Sequence, residues 1–165
     1  MSKILEGMVA LVTGGSSGIG TAIVKNLAGE GANVVFTYHS NEEGAKAVLS
    51  EIEAIGVKGG YFQADMADFC RAQEIIDNVI SMFGTLDILV NNAGANQDKV
   101  IWKMTESMWD EVIDTDLKGV FNYIRAATPT FREKKSGRII TVSSINALRG
   151  KFGQSNYAAA KAGVI

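Results

Sequence analysis

A tyrosine and a lysine near the end of this 165-residue sequence have the spacing of a proton-transfer pair. Tyr157 and Lys161 are four residues apart in a stretch that we expect to be helical, so their side chains would lie on one face, about one turn apart. A tyrosine in water loses its proton at about pH 10, but an adjacent ammonium group favours the phenolate. The pair therefore predicts acid–base chemistry, although such pairs also occur on helix surfaces without a role.

A glycine-rich turn lies between the first strand and the first helix that we predict. It reads Thr13-Gly14-Gly15-Ser16-Ser17-Gly18-Ile19-Gly20. In such a turn Gly14 permits the tight bend, Gly18 lets the backbone approach a pyrophosphate, and Gly20 allows the helix to pack closely on the strand. Phosphates would lie at the amide-rich N-terminus of the helix, with Ser16 and Ser17 as hydroxyl donors. The turn therefore predicts a dinucleotide site, and a generic strand–turn–helix that uses glycine for positive φ is the other interpretation.

The end of the second predicted strand bears on the choice between NAD and NADP. Folds that prefer NAD place an acid about 20 residues past the glycine turn, where it binds the adenosine ribose. This chain has Tyr38 and His39 there, so no carboxylate would repel a 2′-phosphate. The arginine that often binds this phosphate is also missing. We expect NADP, with NAD as the alternative, and an ordinary polar strand end is the other interpretation of these two residues.

Five short apolar runs alternate with five helical patterns and would bring these residues to one edge of a sheet. The predicted strands span 8–13, 34–37, 60–64, 86–91 and 138–142. The predicted helices span 19–29, 42–55, 69–83, 107–127 and a stretch from about 156 onward. This alternation predicts an α/β Rossmann fold, with a doubly wound parallel sheet in three α/β/α layers and a single domain over residues 1–165. The one proline, Pro129, is expected just past the longest helix.

Two further motifs accompany the glycine turn and the tyrosine–lysine pair. Asn91-Asn92-Ala93-Gly94 ends the fourth predicted strand, and Ser144 follows the fifth, thirteen residues before Tyr157. Strand carboxyl ends form the crevice where such folds bind ligands. With these motifs in this order, the chain resembles the short-chain dehydrogenase/reductase family over essentially its whole length. Residues 153–163 and 116–121 are most similar to bacterial 3-oxoacyl-thioester reductases of fatty-acid synthesis and to acetoacetyl-CoA reductases.

The resemblance implies a role for each motif. Tyr157 would be the general acid in reduction and the general base in oxidation, Lys161 would favour its phenolate and hold the nicotinamide ribose, and Ser144 would bind the substrate carbonyl oxygen. It also implies further residues that line the cofactor or touch the substrate, namely Asp65, Met66, Asn92, Ala93, Gly94 and, for the substrate, Gln154. The implied reaction is hydride transfer between NADPH and the keto group of a 3-oxoacyl thioester, or a similar carbonyl or secondary alcohol.

The chain departs from the family at Asp116, where the family usually has an asparagine that anchors a water chain to the lysine. A carboxylate there would oppose phenolate formation at Tyr157 and hold Lys161 more firmly protonated. We therefore expect Asp116 to take part in catalysis and to alter its pH dependence.

The family also continues beyond the position of Ile165, through two more strands and a substrate loop. We therefore expect a C-terminally incomplete domain with one unpaired, apolar sheet edge. Activity, and the homotetramer that the resemblance implies, would belong to the longer protein.

Composition narrows the expected partners. The 16 basic and 18 acidic residues are scattered along the chain, so no basic stripe is available for a nucleic acid. One cysteine, Cys70, excludes an internal disulfide, and together with one histidine it cannot form a cysteine/histidine zinc site, so we expect no metal. No signal core and no run of about 18 apolar residues are present. We expect a cytoplasmic protein that binds a small-molecule or acyl-thioester substrate and no membrane.

Other functions fit parts of the sequence. An NAD-dependent alcohol or sugar dehydrogenase of the same family would use the same residues. A nucleotide-binding fragment or pseudoenzyme is favoured by Asp116 and opposed by the intact Ser144, Tyr157 and Lys161. A methyltransferase that uses S-adenosylmethionine would share the sheet but usually has an acid after the second strand. A serine hydrolase would need a histidine near its serine in a nucleophile elbow, whereas His39 is far from Ser144 along the chain.

Overall fold

The computed structural model describes residues 3–165, in which five strands and seven α-helices largely alternate. The strands are β1 (Val9–Val12), β2 (Asn33–Tyr38), β3 (Gly59–Gln63), β4 (Ile88–Asn91) and β5 (Arg138–Thr141). The helices are α1 (Gly18–Gly29), α2 (Glu42–Ala54), α3 (Phe69–Phe83), α4 (Glu106–Ile113), α5 (Gly119–Lys134), α6 (Asn146–Arg149) and α7 (Ser155–Gly163). A 3₁₀ turn (Ile101–Lys103) precedes α4, and a π-helical turn (Asp114–Lys118) joins α4 to α5.

The five strands form one parallel sheet in the order β3-β2-β1-β4-β5. Leu11 of β1 is in register with Val35 on one side and with Leu89 on the other. The strand order therefore changes direction at β1, and the loops after β1 and β4 border a crevice at the carboxyl edge of the sheet. The predicted doubly wound parallel sheet is confirmed.

Alternate residues of the central strand pack against different helices. Val9 and Leu11 belong to a buried cluster with residues of α3 and α5, whereas Ala10 and Val12 belong to a second cluster with residues of α1 and α2. Successive side chains of a strand point to opposite faces, so helices cover both faces of the sheet at β1. Strands buried on both faces explain the continuous apolar runs in the sequence.

The bounds of α3 agree with the prediction because both ends carry capping residues. The Asp68 side chain accepts a hydrogen bond from the Arg71 N–H at 2.9 Å, which satisfies one of the free donors of the first turn. Gly84 ends the helix in the left-handed conformation, with φ of 76°.

The longest predicted helix is wrong in its bounds. The sequence predicts one helix over 107–127 that ends before Pro129, whereas the structure has α4, the π-helical turn and then α5, which includes Pro129 and continues to Lys134. A proline removes one N–H donor and crowds the carbonyl of the preceding turn. In α5, however, buried Tyr123 and Ala127 pack in the same cluster as α3, and this packing outweighs the local preference of one residue.

Two short helical elements lie outside the predicted ones. The sequence analysis does not predict α6 or the 3₁₀ turn, since each is too short to show a hydrophobic period. Within residues 3–165, β5 forms one edge of the sheet, and its Ile139 and Ile140 are about half exposed. None of the helices in this part of the chain is long and apolar enough to cross a lipid bilayer.

Candidate active site

The glycine turn after β1 is held by the neighbouring strand β2. The Gly15 N–H donates to the Thr37 carbonyl oxygen at 2.8 Å, and the Gly14 N–H donates to the Thr37 hydroxyl at 3.2 Å. Thr37 is therefore a residue of the site that the sequence analysis missed. Nothing in a single threonine at a strand end distinguishes it from other strand residues.

The loop after β4 supports the turn from the other side. The Asn92 side-chain amide donates to the carbonyl oxygens of Thr13 and Gly14, at 3.0 and 3.2 Å. The Thr13 hydroxyl in turn accepts from the backbone N–H groups of Asn92 and Ala93, at 3.0 and 3.1 Å. Asn92 therefore fixes the position of the turn as well as bordering the crevice.

Glycine is required in this turn for conformational and steric reasons. Gly14 and Gly18 have φ of 70° and 53°, in the left-handed region that other residues rarely adopt. A Cβ atom on Gly20 would lie 1.9 Å from the Gly14 carbonyl oxygen. The first turn of α1 can therefore approach the end of β1 only because Gly20 has no side chain.

A cleft of about 580 Å³ opens beside this turn at the carboxyl edge of the sheet. Its volume is in the range of small-molecule sites. The residues predicted for cofactor binding, apart from Tyr157 and Lys161, all line it: Gly14, Ser16, Ser17, Gly18, Ile19, Gly20, Tyr38, His39, Asp65, Met66, Asn92, Ala93 and Gly94. Glu111 and Thr115, which the sequence analysis did not select, also line it.

At the end of the cleft next to β2, polar side chains are held in place by contacts with neighbouring residues. Tyr38 is buried and meets the ring of Tyr61 edge-on, with 5.7 Å between ring centroids. Asn41 accepts a hydrogen bond from the Gly44 N–H at 3.0 Å, which caps α2, and donates to the Ser16 carbonyl oxygen at 3.3 Å. The cleft residues within 3–165 include one histidine and no lysine or arginine.

Lys161 is buried beside two acceptors. Its Nζ lies 3.1 Å from Oδ2 of Asp116 and donates to the Val142 carbonyl oxygen at 3.2 Å. The Lys161 carbonyl oxygen accepts from the Ser143 hydroxyl at 2.7 Å, so the residues that follow β5 hold α7 in place. The ammonium group lies 5.7 Å from the centre of the Tyr157 ring. The structure therefore brings Tyr157, Lys161 and Asp116 together.

Asp116 is fully buried in the π-helical turn. Its Oδ1 accepts from the Ala95 N–H at 2.6 Å, and its Oδ2 faces Lys161. Burial raises the pKa of Asp116 above its ordinary value, while the Ala95 N–H and the Lys161 charge act in the opposite direction. A Cβ atom on Gly94 would lie 2.7 Å from Oδ2, so glycine at this position leaves room for the carboxylate.

Ser144 lies in the loop after β5 and Tyr157 lies in α7, both at the carboxyl edge of the sheet. Ser144 follows β5, and its Oγ accepts from the Asn146 N–H at 3.2 Å. Tyr157 is in the first turn of α7, directly after Asn156, whose side chain donates to the carbonyl oxygens of Gln97 and Met108. These bonds attach the start of α7 to the loop after β4 and to α4.

Gln154 is buried, and its side chain is bound within the protein. Its Nε2 lies 2.9 Å from both carboxylate oxygens of Asp98, and its Oε1 accepts from Nδ2 of Asn146 at 2.9 Å. The sequence predicts a substrate contact for Gln154, which stays a prediction; in the structure both ends of its amide are bound by side chains of the protein. Asp98 and Asn146 were not selected from the sequence, where each is a single polar residue outside any motif.

Comparison with known proteins shows the family. The family model described as short chain dehydrogenase matches residues 8–165. The chain belongs to the short-chain dehydrogenase family. A 3-oxoacyl-[acyl-carrier-protein] reductase of Staphylococcus aureus is 51% identical over 156 residues, which cover 94% of this chain and 63% of the relative. A reductase of the same name from Salmonella typhimurium is 41% identical over 160 residues, which cover 97% of this chain and 64% of the relative.

A solved structure resembles the fold closely. It is a short-chain dehydrogenase from Burkholderia cenocepacia in complex with NADP, with a TM-score of 0.92 and 40% sequence identity. The match covers 97% of this chain and 65% of that one. The chain thus spans a little under two thirds of the length of these relatives. The family resemblance predicted from the four motifs is confirmed.

Proposed function

We propose that this chain carries the catalytic residues of an NADPH-dependent reductase that converts the keto group of a 3-oxoacyl thioester to a hydroxyl group. The observation that carries the proposal is the buried Lys161 ammonium beside Tyr157, at the edge where the glycine turn forms its cleft. The names of the Staphylococcus aureus and Salmonella typhimurium relatives support the substrate class.

The cleft fits a nicotinamide dinucleotide. The glycine turn presents the N-terminus of α1, whose free N–H groups favour phosphate, and a Cβ atom on Gly18 would meet no atom within 4 Å, so this backbone is open to a ligand. Ser16, Ser17 and Asn92 would add polar contacts. The absence of a carboxylate at Tyr38 and His39 favours NADP over NAD, and the NADP complex of the Burkholderia cenocepacia relative supports this choice.

The residues of the chain would supply orientation and the proton. When bound, reduced nicotinamide supplies the hydride. Ser144 would donate a hydrogen bond to the keto oxygen, and Tyr157 would give that oxygen its proton. Lys161 would favour the phenolate that remains, and Asp116 would hold Lys161 and partly neutralise its charge.

The proposal is tested by mixing the protein with NADPH and acetoacetyl-CoA and following the absorbance of the reduced nicotinamide. We expect oxidation of NADPH, and a loss of about 10²-fold or more in Tyr157→Phe, since that substitution removes the acid and leaves the ring in place. The same sample gives the dissociation constants of NADPH and NADH by fluorescence. Turnover that is unchanged in Tyr157→Phe would contradict the catalytic assignment.

A second candidate is a nucleotide-binding protein without turnover. The buried Asp116 favours it, because a carboxylate 3.1 Å from Lys161 reduces the positive charge that reaches Tyr157. NADPH binding without oxidation of the cofactor, restored to turnover by Asp116→Asn, would identify this case. The homotetramer, the cytoplasmic location and the absence of nucleic-acid partners stay predictions of the sequence.

A further inference from the structure

A chain of side-chain hydrogen bonds connects the loop after β4 to Ser144. Asp98 accepts from the Gln154 amide, Gln154 accepts from the Asn146 amide, and the Asn146 backbone N–H donates to the Ser144 hydroxyl oxygen. Asp98, Ser144 and Gln154 lie in three loops, Asn146 begins α6, and the Gln154 side chain lies between those of Asp98 and Asn146. We refer to Asp98, Gln154 and Asn146 as the loop network.

The last bond of the loop network determines what the Ser144 hydroxyl can do. A serine hydroxyl has one proton to donate and two lone pairs that accept. The Asn146 N–H donates to one of these lone pairs, which fixes one direction around the oxygen and leaves the hydroxyl proton free to point toward a ligand. A substrate carbonyl oxygen needs such a donor as negative charge develops on it.

The rest of the network fixes the Asn146 backbone. Asn146 begins the four-residue helix α6, which is too short to be stable by itself. Its side chain is held by Gln154, which is 6% exposed and has both ends of its amide bound. The bonds to the Asp98 carboxylate are charge-assisted and therefore stronger than bonds between neutral groups.

We propose that Asp98 and Gln154 are positioning residues for the reaction: through Asn146 they orient the Ser144 hydroxyl as the donor to the substrate carbonyl oxygen. This inference rests on the proposed function, because it assumes that Ser144 binds the keto oxygen. In this proposal Gln154 does not touch the substrate but acts through Asn146 on the Ser144 hydroxyl.

The proposal is tested by exchanging the roles of Gln154, the donor, and Asp98, the acceptor. Gln154→Glu places two carboxylates against each other, and we expect kcat to fall about 10-fold or more while the dissociation constant of NADPH stays within about twofold, since loss of an oriented donor acts on the transition state. Asp98→Asn combined with Gln154→Glu restores one donor opposite one acceptor, and we expect kcat within about threefold of the parent. Lys99→Ala, a substitution of the next residue in the same loop, is the control and keeps the Lys99 N–H bond to Gly153.

A double-mutant cycle with Ser144→Ala separates positioning from general stability. If Gln154 acts through Ser144, Gln154→Glu causes little further loss of kcat in the Ser144→Ala background. Additive losses, or a double variant at residues 98 and 154 that recovers no activity while its thermal unfolding matches the parent, would overturn the proposal.

A measurement without turnover distinguishes failure of this proposal from failure of the proposed function. In ¹H–¹⁵N spectra of the ¹⁵N-labelled protein, Asp98→Ala should shift the side-chain amide signals of Gln154 and Asn146 and the backbone signal of Asn146, whereas Lys99→Ala should leave them in place. Unshifted signals would show that the loop network does not reach Ser144, whatever the activity. Shifted signals in a protein without turnover would instead reject the proposed function and the catalytic use of the network.

Discussion

Replacement of Gly20 by alanine should disrupt the glycine turn more than its size suggests. The added Cβ atom would lie 1.9 Å from the Gly14 carbonyl oxygen and 2.7 Å from Nδ2 of Asn92. Ordinary contacts between non-bonded heavy atoms are about 3.5 Å or longer. The close atom belongs to the backbone, so no rotamer change can relieve the contact, and α1 and the end of β1 must separate by more than about 1 Å.

The expected loss of stability is large for a single methyl group. Overpacking in a rigid interior costs typically about 1–3 kcal/mol, and a collision of backbone with Cβ belongs at the upper end of this range. We therefore expect Gly20→Ala to lower the free energy of unfolding by about 3 kcal/mol. At roughly 2–4 °C per kcal/mol for a chain of this size, the melting temperature should fall by about 6–12 °C.

The same helix offers a matched control. Gly29 is the last residue of α1, has no positive φ, and a Cβ atom there would meet no atom within 4 Å. Gly29→Ala should therefore raise stability by about 0.5 kcal/mol, because alanine loses less backbone freedom on folding than glycine does. Urea unfolding followed by circular dichroism at the helix band measures both variants, and NADPH binding should weaken only in Gly20→Ala.

The outcomes for the two variants are easily distinguished. If Gly20→Ala unfolds within about 0.5 kcal/mol of the parent, the close approach of α1 to β1 does not exist and the steric argument is wrong. If both variants lose stability equally, the effect belongs to the helix in general rather than to the turn.

Three further predictions concern other parts of the structure. Burial raises the pKa of Asp116 from the ordinary value of 3.8, so the free energy of unfolding of the parent should fall as the pH rises from about 4 through the folded pKa. Asp116→Asn cannot ionise, and urea titrations at several pH values should show this fall in the parent alone. Asn41→Ala should cost about 1 kcal/mol in urea unfolding through loss of the α2 cap. Leu89→Ala should cost about 2–5 kcal/mol, whereas Phe152→Ser, at a side chain that is 80% exposed, should stay within about 0.5 kcal/mol of the parent in the same assay.

The fold was predictable where local sequence and tertiary packing favour the same structure. The five apolar runs match the five strands, and α3 has the predicted bounds of 69–83, where Asp68 and Gly84 cap its two ends. Prediction failed in α5, because Pro129 is a local helix-breaking signal whereas the packing of α5 against α3 is not visible along the chain. The π-helical turn was also missed, since a single wide turn leaves the apolar period almost unchanged.

In the candidate site too, the features set by local spacing were predictable and those set by long-range contacts were not. The glycine turn and the tyrosine–lysine pair depend on spacings of a few residues, so the sequence displays them directly. The residues that hold them in place make contacts over long separations: Thr37 binds Gly14 across 23 positions, and Asn92 binds Thr13 across 79. A single polar residue in a strand, a short helix or a loop carries no signal of such partners, which is why Thr37, Asp98 and Asn146 could be found only from the structure.

Asp116 connects the fold to the proposed chemistry. The π-helical turn places its carboxylate in the interior, where burial opposes ionisation and Lys161 favours it. While Asp116 is protonated, Tyr157 experiences the full charge of Lys161, and once Asp116 ionises the two charges largely cancel. The stability of the protein and the kcat of the proposed reduction should therefore change over the same pH interval. Because Asp116→Asn cannot ionise there, both changes should disappear together, and if only one of them disappears the two effects do not arise from the same carboxylate.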